Sequence, residues 1–235
     1  MTGPPREESS EAVRLVVALE TSTRPASIAA RGPSGQRAAR SLGEDRRHAS
    51  DLFGALEELV TEVGATRSDL GLVLAGVGPG SYTGLRVGAA TALGLMRGAQ
   101  AEVLGIPSFD AIAVDGLAPG ERGAVLRNAF GGHLYIATYE RADKEVQPLT
   151  APRCVQPSEA IQLLTGTQVL LADEAALKAL GQPPPAEMET RQAALARAEH
   201  VLDLGLSRLD AGAKRGPETL RPLYLRPFDA KVRRR

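Results

Sequence analysis

Gly76-Val77-Gly78-Pro79-Gly80-Ser81-Tyr82-Thr83-Gly84-Leu85-Arg86-Val87-Gly88 follows directly on the apolar run Leu70 to Ala75. After it, Leu85, Gly88, Ala89, Ala92, Leu95 and Met96 fall on one helical face. The order predicts strand, glycine turn, helix, with Ser81 or Thr83 placed to cap the helix. Such a turn aims bare backbone N–H groups and a helix N-terminus at one spot, which suits an anion such as phosphate. It is not a Walker loop, because no Gly-Lys-Ser/Thr follows, and it is not the dinucleotide fingerprint. The same glycines would also let the helix pack close to the sheet. Both uses stand open at the level of the sequence.

Working outward, Leu15 to Leu19 reads as a buried strand, and Ala26 to Ala30 and Gln36 to Leu42 complete a meander. Leu52, Phe53, Leu56, Leu59, Val60 and Val63 give a first helix its apolar stripe. Val103 to Ile106 is a fifth strand, and Ser108 can cap a helix through Val114. Gly116 to Gly123 is the candidate boundary between a first half over 13–115 and a second over 123–228. In the second half Ala124 to Leu126, Leu134 to Tyr139, Glu145 to Leu149 and Val169 to Ala172 read as strands. Pro157 to Leu164 and Glu174 to Leu180 read as helices, and a long helix is expected over 187–209. Residues 1–12 and 229–235 are expected to be flexible tails. Strands followed by alternating helix and strand are what a ribonuclease-H-like half would show.

Charge balances at 28 basic against 28 acidic residues, so no global field draws the chain to nucleic acid or membrane. One cysteine excludes an internal disulfide and suits a reducing compartment. No apolar run approaches the roughly twenty residues a membrane span needs. A cytoplasmic location is the expectation. Four tyrosines, four phenylalanines and no tryptophan, all scattered, offer no stacking platform for single-stranded RNA.

The company of the glycine segment is specific. Glu20-Thr21-Ser22-Thr23 closes the first strand upstream, and Gly105-Ile106-Pro107-Ser108 exits downstream. With His48, Gly132, Tyr135 and Tyr224-Leu225-Arg226, this order resembles the TsaB (YeaZ) family over roughly residues 13 to 228. The resemblance implies an α/β, actin-like (ASKHA) duplicated ribonuclease-H-like fold of two subdomains. It implies a non-catalytic subunit that pairs with a TsaD-type catalytic subunit for threonylcarbamoyl transfer to N6 of the adenosine beside the anticodon in tRNA. A TsaE-type ATPase would join that complex, tRNA would be met indirectly, and homodimerisation of the lone chain stays open. Other classes are a free-standing actin-like nucleotide-dependent enzyme and a glycoprotease-like metalloenzyme.

The sequence offers no catalytic constellation. His48, His133 and His200 are the only histidines, and none stands at ligand spacing with another. The HxxxH metal motif of the catalytic relatives falls on Ser108 and Ile112, and isoleucine has no lone pair to give. No cofactor and no metal are expected. The degenerate cofactor candidates are Glu20, Gly78, Gly80 and Ser81. Glu20 stands where the resemblance implies an aspartate, and its extra methylene weakens the case for magnesium. It is read as bonding the Thr21-Ser22-Thr23 backbone. The resemblance also implies Asp-Ala-Arg and an acid where Asn128, Phe130 and His133 stand, a set read as less charged packing.

The helix after the glycine turn is apolar or small nearly all round and has to be covered all round. The candidate partner interface is Leu52, Leu56, Leu85, Val87, Gly88, Ala90, Thr91, Gly94 and Gly98. Small residues at Ala90, Gly94 and Gly98 admit the close approach of another helix. The resemblance implies association through the first two helices.

Overall fold

The computed structural model describes residues 14–43, 48–192 and 196–226. The expected tails at 1–12 and 229–235 lie outside them. Among the described residues sixteen of the seventeen strands and α-helices follow one repeated plan of three strands, helix, strand, helix, strand, helix, and β9 (Arg153–Val155) is an addition to the second copy. The first copy runs β1 Leu15–Glu20, β2 Ser27–Arg31, β3 Arg37–Ser41, α1 His48–Glu62, β4 Leu70–Gly76, α2 Tyr82–Ala99, β5 Glu102–Ile106 and α3 Ser108–Gly116. The second runs β6 Arg122–Phe130, β7 His133–Arg141, β8 Val146–Pro148, β9 Arg153–Val155, α4 Pro157–Leu163, β10 Val169–Ala172, α5 Glu174–Leu180, β11 Glu189–Gln192 and α6 Ala198–Asp210.

The sheets are ordered β3-β2-β1-β4-β5 and β8-β7-β6-β10-β11, with β9 on β7 as an addition to the second. Each has an antiparallel meander followed by parallel strands. The duplication is therefore explicit in the backbone although no repeat is visible in the residues. Apolar runs make the central strands: all of β1 and all of β4 are buried. The edge strand β3 alternates instead, and its Arg40 reaches Glu58 and Glu62 of α1.

The third helix of each copy crosses over. Phe109, Ile112 and Ala113 of α3 pack with Val125, Tyr139 and Leu171 of the second sheet. Ala198, Val201 and Leu202 of α6 pack with Ala18, Ala29 and Leu74 of the first. The expected second half, 123–228, thus contains elements that cover the first sheet. The crossing carries a polar knot. Tyr139 donates to Asp110 at 3.0 Å, and Arg208 of α6 donates to the other oxygen of Asp110 at 2.7 Å. Burial and the Asp110 carboxylate push the Tyr139 hydroxyl far above its ordinary pKa.

The long helix expected over 187–209 is a correction. Glu189–Gln192 is a strand, parallel to β10, and helix begins only at Ala198. The sheet edge left by β10 takes up the backbone hydrogen bonds of 189–192, and that tertiary gain overrides helix-forming composition. Leu195 lies outside the described residues. Ser108 does not cap α3 either: Pro107 holds the N-cap position, and the Ser108 hydroxyl is engaged elsewhere.

After α6 the chain returns to the first sheet. The short 3-10 turn Pro217–Leu220 lies against β5, where Gly105 N–H donates to the Thr219 hydroxyl at 2.9 Å. A methyl group on Gly105 would stand 2.1 Å from the Thr219 carbonyl oxygen. Gly105→Ala is expected to destabilise by about 1–3 kcal/mol, a Tm loss of about 2–4 °C for each kcal/mol in a chain of this size. A thermal melt unchanged from the parent would show that 217–220 is not seated there.

Candidate functional site

The site is built on the turn that leaves β1. Glu20 is fully buried, and both its oxygens are occupied: Oε1 accepts from Ser22 N–H at 2.7 Å and Oε2 from the Ser108 hydroxyl at 2.7 Å. Ser108 in turn accepts from Gly78 N–H at 3.1 Å. Desolvation pushes the Glu20 carboxyl above its ordinary range, against the pull of the hydrogen bonds from Ser22 and Ser108 and the charge of Arg127. The carboxylate bonds the turn backbone, as read from the sequence, and it also ties β1 to the start of α3.

The glycine segment closes on this turn at every fourth residue. A methyl group on Gly76 would stand 2.1 Å from Glu20 Oε2, and one on Gly80 2.3 Å from the Ser22 carbonyl oxygen. At Gly84 the distance is 1.9 Å to the Thr21 carbonyl oxygen, and at Gly88 2.4 Å to Thr21 Oγ1. Thr21 Oγ1 donates to the Gly84 carbonyl at 2.8 Å, and Ser81 N–H donates to the Ser22 carbonyl at 2.7 Å. Of the two uses left open by the sequence, close packing is the one these distances demonstrate. Ser81 caps α2 by accepting from Gly84 N–H at 3.3 Å.

A cleft of about 660 Å³ opens between the two copies. One wall is Ser22, Thr23, Arg24 and Pro79 to Thr83; the other holds Arg127 to Phe130, Tyr135 and Asp173. Gly80 and Ser81 of the cofactor candidates face it, whereas Glu20 and Gly78 do not line it. Arg127, in the buried strand β6, lies 3.1 Å from Asp173 Oδ2. Burial lowers its pKa, opposed by Asp173 and Glu20. Sequence reading passed over this pair, although an arginine directly after Ala124-Val125-Leu126 was the available signal. Leu223 to Arg226 border the cleft, with the Tyr224 and Tyr82 rings 4.9 Å apart.

The Asn128-Phe130-His133 set does not form packing. Asn128 Oδ1 accepts from Phe130 N–H at 2.7 Å, which turns the hairpin and leaves Phe130 75% exposed. Arg226 donates to the carbonyls of Ala129 and Phe130 at 2.9 and 2.7 Å. His133 pairs with Gly131 and Gln156, and His200 with Asp115 at 3.2 Å. His48 lies at the start of α1, and its side chain is outside the described residues. Among the described residues no group of three His, Cys, Asp or Glu is placed to hold a metal. Ile112 is buried in the second core.

The interface candidates divide. Leu52, Leu56, Leu85, Gly88 and Thr91 are buried within the chain, which corrects the expectation that they meet a partner: the inner faces of α1 and α2 need them against the first sheet and the turn after β1. Ala90, Gly94 and Gly98 are exposed and Val87 half-buried, forming the outward stripe of α2. Nothing lies within 4 Å of a methyl group built on Gly94 or Gly98. On α1, Phe53, expected in the apolar stripe, is 52% exposed. Among the described residues no helix is long and apolar enough to cross a membrane.

Two three-layered halves with one strand order, exchanged third helices and a cleft between them define an actin-like, ribonuclease-H-like duplicated protein. The family model for TsaD, tRNA N6-adenosine threonylcarbamoyltransferase, matches residues 44–201, and the chain belongs to that family on its TsaB/YeaZ side. The chain is 26% identical over 190 residues to the tRNA threonylcarbamoyladenosine biosynthesis protein TsaB of Escherichia coli K12, covering 77% of this chain and 81% of that one. It is 30% identical over 189 residues to an uncharacterized protein of Mycobacterium tuberculosis H37Rv, covering 79% and 78%. YeaZ from Pseudomonas aeruginosa shares its fold, with a TM-score of 0.78 at 22% identity, covering 90% of this chain and 100% of that one.

Because the folded Glu20 holds its proton more tightly than an unfolded glutamate, stability falls as pH rises from the ordinary value of 4.5 toward the raised one. Glu20→Gln removes this dependence. Denaturant melts are expected to match the parent in acid and to show the variant gaining on it as pH rises through that window. A difference that is constant with pH would mean that no charge penalty resides at Glu20.

Proposed function

We propose that the chain is a non-catalytic subunit in tRNA threonylcarbamoyladenosine biosynthesis, docking a TsaD-type catalytic subunit through the outward stripe of α2. The observation that carries this reading is the outward row of half-buried Val87 and exposed Ala90, Gly94 and Gly98 on a helix whose other side is buried within the chain. Glycine costs about 1 kcal/mol in helix propensity relative to alanine. At Gly84 and Gly88 the close packing inside the chain accounts for it, but a methyl group on Gly94 or Gly98 would meet nothing within 4 Å. A helix backbone approaching from outside supplies the missing reason. Exposed Phe53 on the neighbouring helix in sequence adds an apolar anchor of the kind found at interface centres. A TsaE-type ATPase would join the paired subunits, and tRNA would be reached through the catalytic partner.

The non-catalytic part rests on Glu20. Its two oxygens are both engaged inside the protein, and the positions matching the catalytic relatives' metal motif hold Ser108, bonded to Glu20, and buried Ile112. The chain alone is expected to hydrolyse ATP at the uncatalysed background; turnover that vanishes in Glu20→Gln would favour a free-standing enzyme instead.

Gly94→Leu tests the docking. Overpacking at a helix contact costs about 1–3 kcal/mol, so at about 1.4 kcal/mol per tenfold the affinity for the TsaD-type subunit is expected to fall by one to two orders of magnitude. The lone chain should melt no lower than the parent, since the site is open and leucine favours helix. Unchanged affinity, measured by titration calorimetry on purified subunits, ends the docking reading.

A further inference from the structure

We propose that residues 221–226 form a latched strap along one side of the cleft, fixed to the first copy and closed on the second by Arg226, and that the latch opens without unfolding either copy. The fixed end is made of core and backbone contacts. Leu220 is buried in the first core, Gly216 N–H donates to the Val103 carbonyl at 2.8 Å, and Leu223 N–H donates to the Val77 carbonyl at 2.8 Å. Tyr224 then rests against Tyr82 of α2, with the Arg86 guanidinium 5.0 Å from the centre of the Tyr82 ring. All these partners belong to the first copy. Two residues further on, Arg226 Nη1 donates to the Ala129 and Phe130 carbonyls of the second, and Leu223 to Arg226 line the cleft as they cross. The two ends let go at different cost. Freeing the first means drawing Leu220 out of a core, whereas the second sits at an exposed hairpin tip where water can replace the guanidinium.

The catch on the second copy is shaped for this contact. Phe130, Gly131 and Gly132 follow one another with φ of 59°, 60° and 77°. Phenylalanine rarely enters that left-handed region, and such strain persists only where the surroundings hold it. Asn128 holds Phe130 by its N–H from within the hairpin, and Arg226 holds the carbonyls on either side of that N–H from the strap. The guanidinium also lies against Gly131, where an added methyl group would stand 3.3 Å from Nη1. Opening the latch removes one of the two holds on Phe130, so the strap and that wall of the cleft move together. The inference needs no partner subunit and stands whether or not α2 docks one.

Cys154 is the chain's one cysteine and reports on the latch without an introduced label. It is half-buried, opposite Tyr135 in the β7–β9 register; burial raises its thiol pKa, and the nearby Arg226 charge pulls it down. The native full chain is labelled with an uncharged maleimide over a pH series, up to the plateau where the thiol is fully ionised. In Arg226→Met the plateau rate is expected to rise about tenfold or more over the parent, because the charge-assisted bonds that keep the latch shut are gone. Hydrogen exchange should quicken at 128–133 and stay unchanged at Leu223, with the Tm held. An unchanged plateau, with only the labelling midpoint moved to higher pH, would show that Arg226 reaches the thiol by charge alone and would overturn the latch. A faster plateau accompanied by lost protection at Leu223 and a lower Tm would overturn it too, since the segment would then be leaving with the first core.

Discussion

The Glu20-Thr21-Ser22 turn is pressed against the backbone of residues 76–88 at distances that leave no room for a Cβ. Everything near the cleft depends on this contact. It brings the N-terminus of α2 beside the end of β1, it buries the Glu20 carboxylate beneath Gly76, and through Ser108 it fixes where α3 departs. The glycine spacing of four residues continues from strand through turn into helix. In the helical part it is the i, i+4 spacing that keeps one face toward one neighbour. A buried carboxylate is tolerated because each of its oxygens accepts a well-placed hydrogen bond, and Arg127 adds an opposite charge from the other copy.

Much of this was legible in the residues. Uninterrupted apolar runs gave β1 and β4, and the 3.6-residue period gave α1 and α2, because burial on both faces or on one stripe leaves those patterns. The glycine segment announced a tight approach but not its object. Whether glycine serves an anion or a neighbouring backbone depends on what lies opposite, and that is a tertiary fact. The strand Glu189–Gln192 was illegible for a similar reason: its Glu-Thr-Arg-Gln composition carries no apolar alternation, and only the free edge of β10 makes it a strand. Among the interface candidates, periodicity located the two faces of α2 but misassigned Thr91, which turns inward at 8% exposure. Small polar side chains carry too little hydropathy to tell an inner face from an outer one.

The polar knot at the crossing of α3 and α6 completes the connection between copies. Asp110 comes from the first copy, while Tyr139, Glu145 and Arg208 come from the second. Buried charges in such a place are costly unless matched, and here one carboxylate receives both a phenol and a guanidinium. The knot fixes which helix covers which sheet, a choice that the mainly apolar surroundings would leave less defined.

The exchange of α3 and α6 also has a consequence for how the chain is made. The half of the protein that is synthesised first is the last to be sealed. One face of its sheet waits for Ala198, Val201 and Leu202, and the core on its other face waits for Leu220. On the ribosome, where residues emerge at about 5–20 per second, Val16, Leu72 and Leu74 wait for their cover until α6 has been translated. A protein whose repeats look like two successive folding units is thereby obliged to fold as one. A break placed in the loop between α3 and β6 would leave each fragment holding the other's lid.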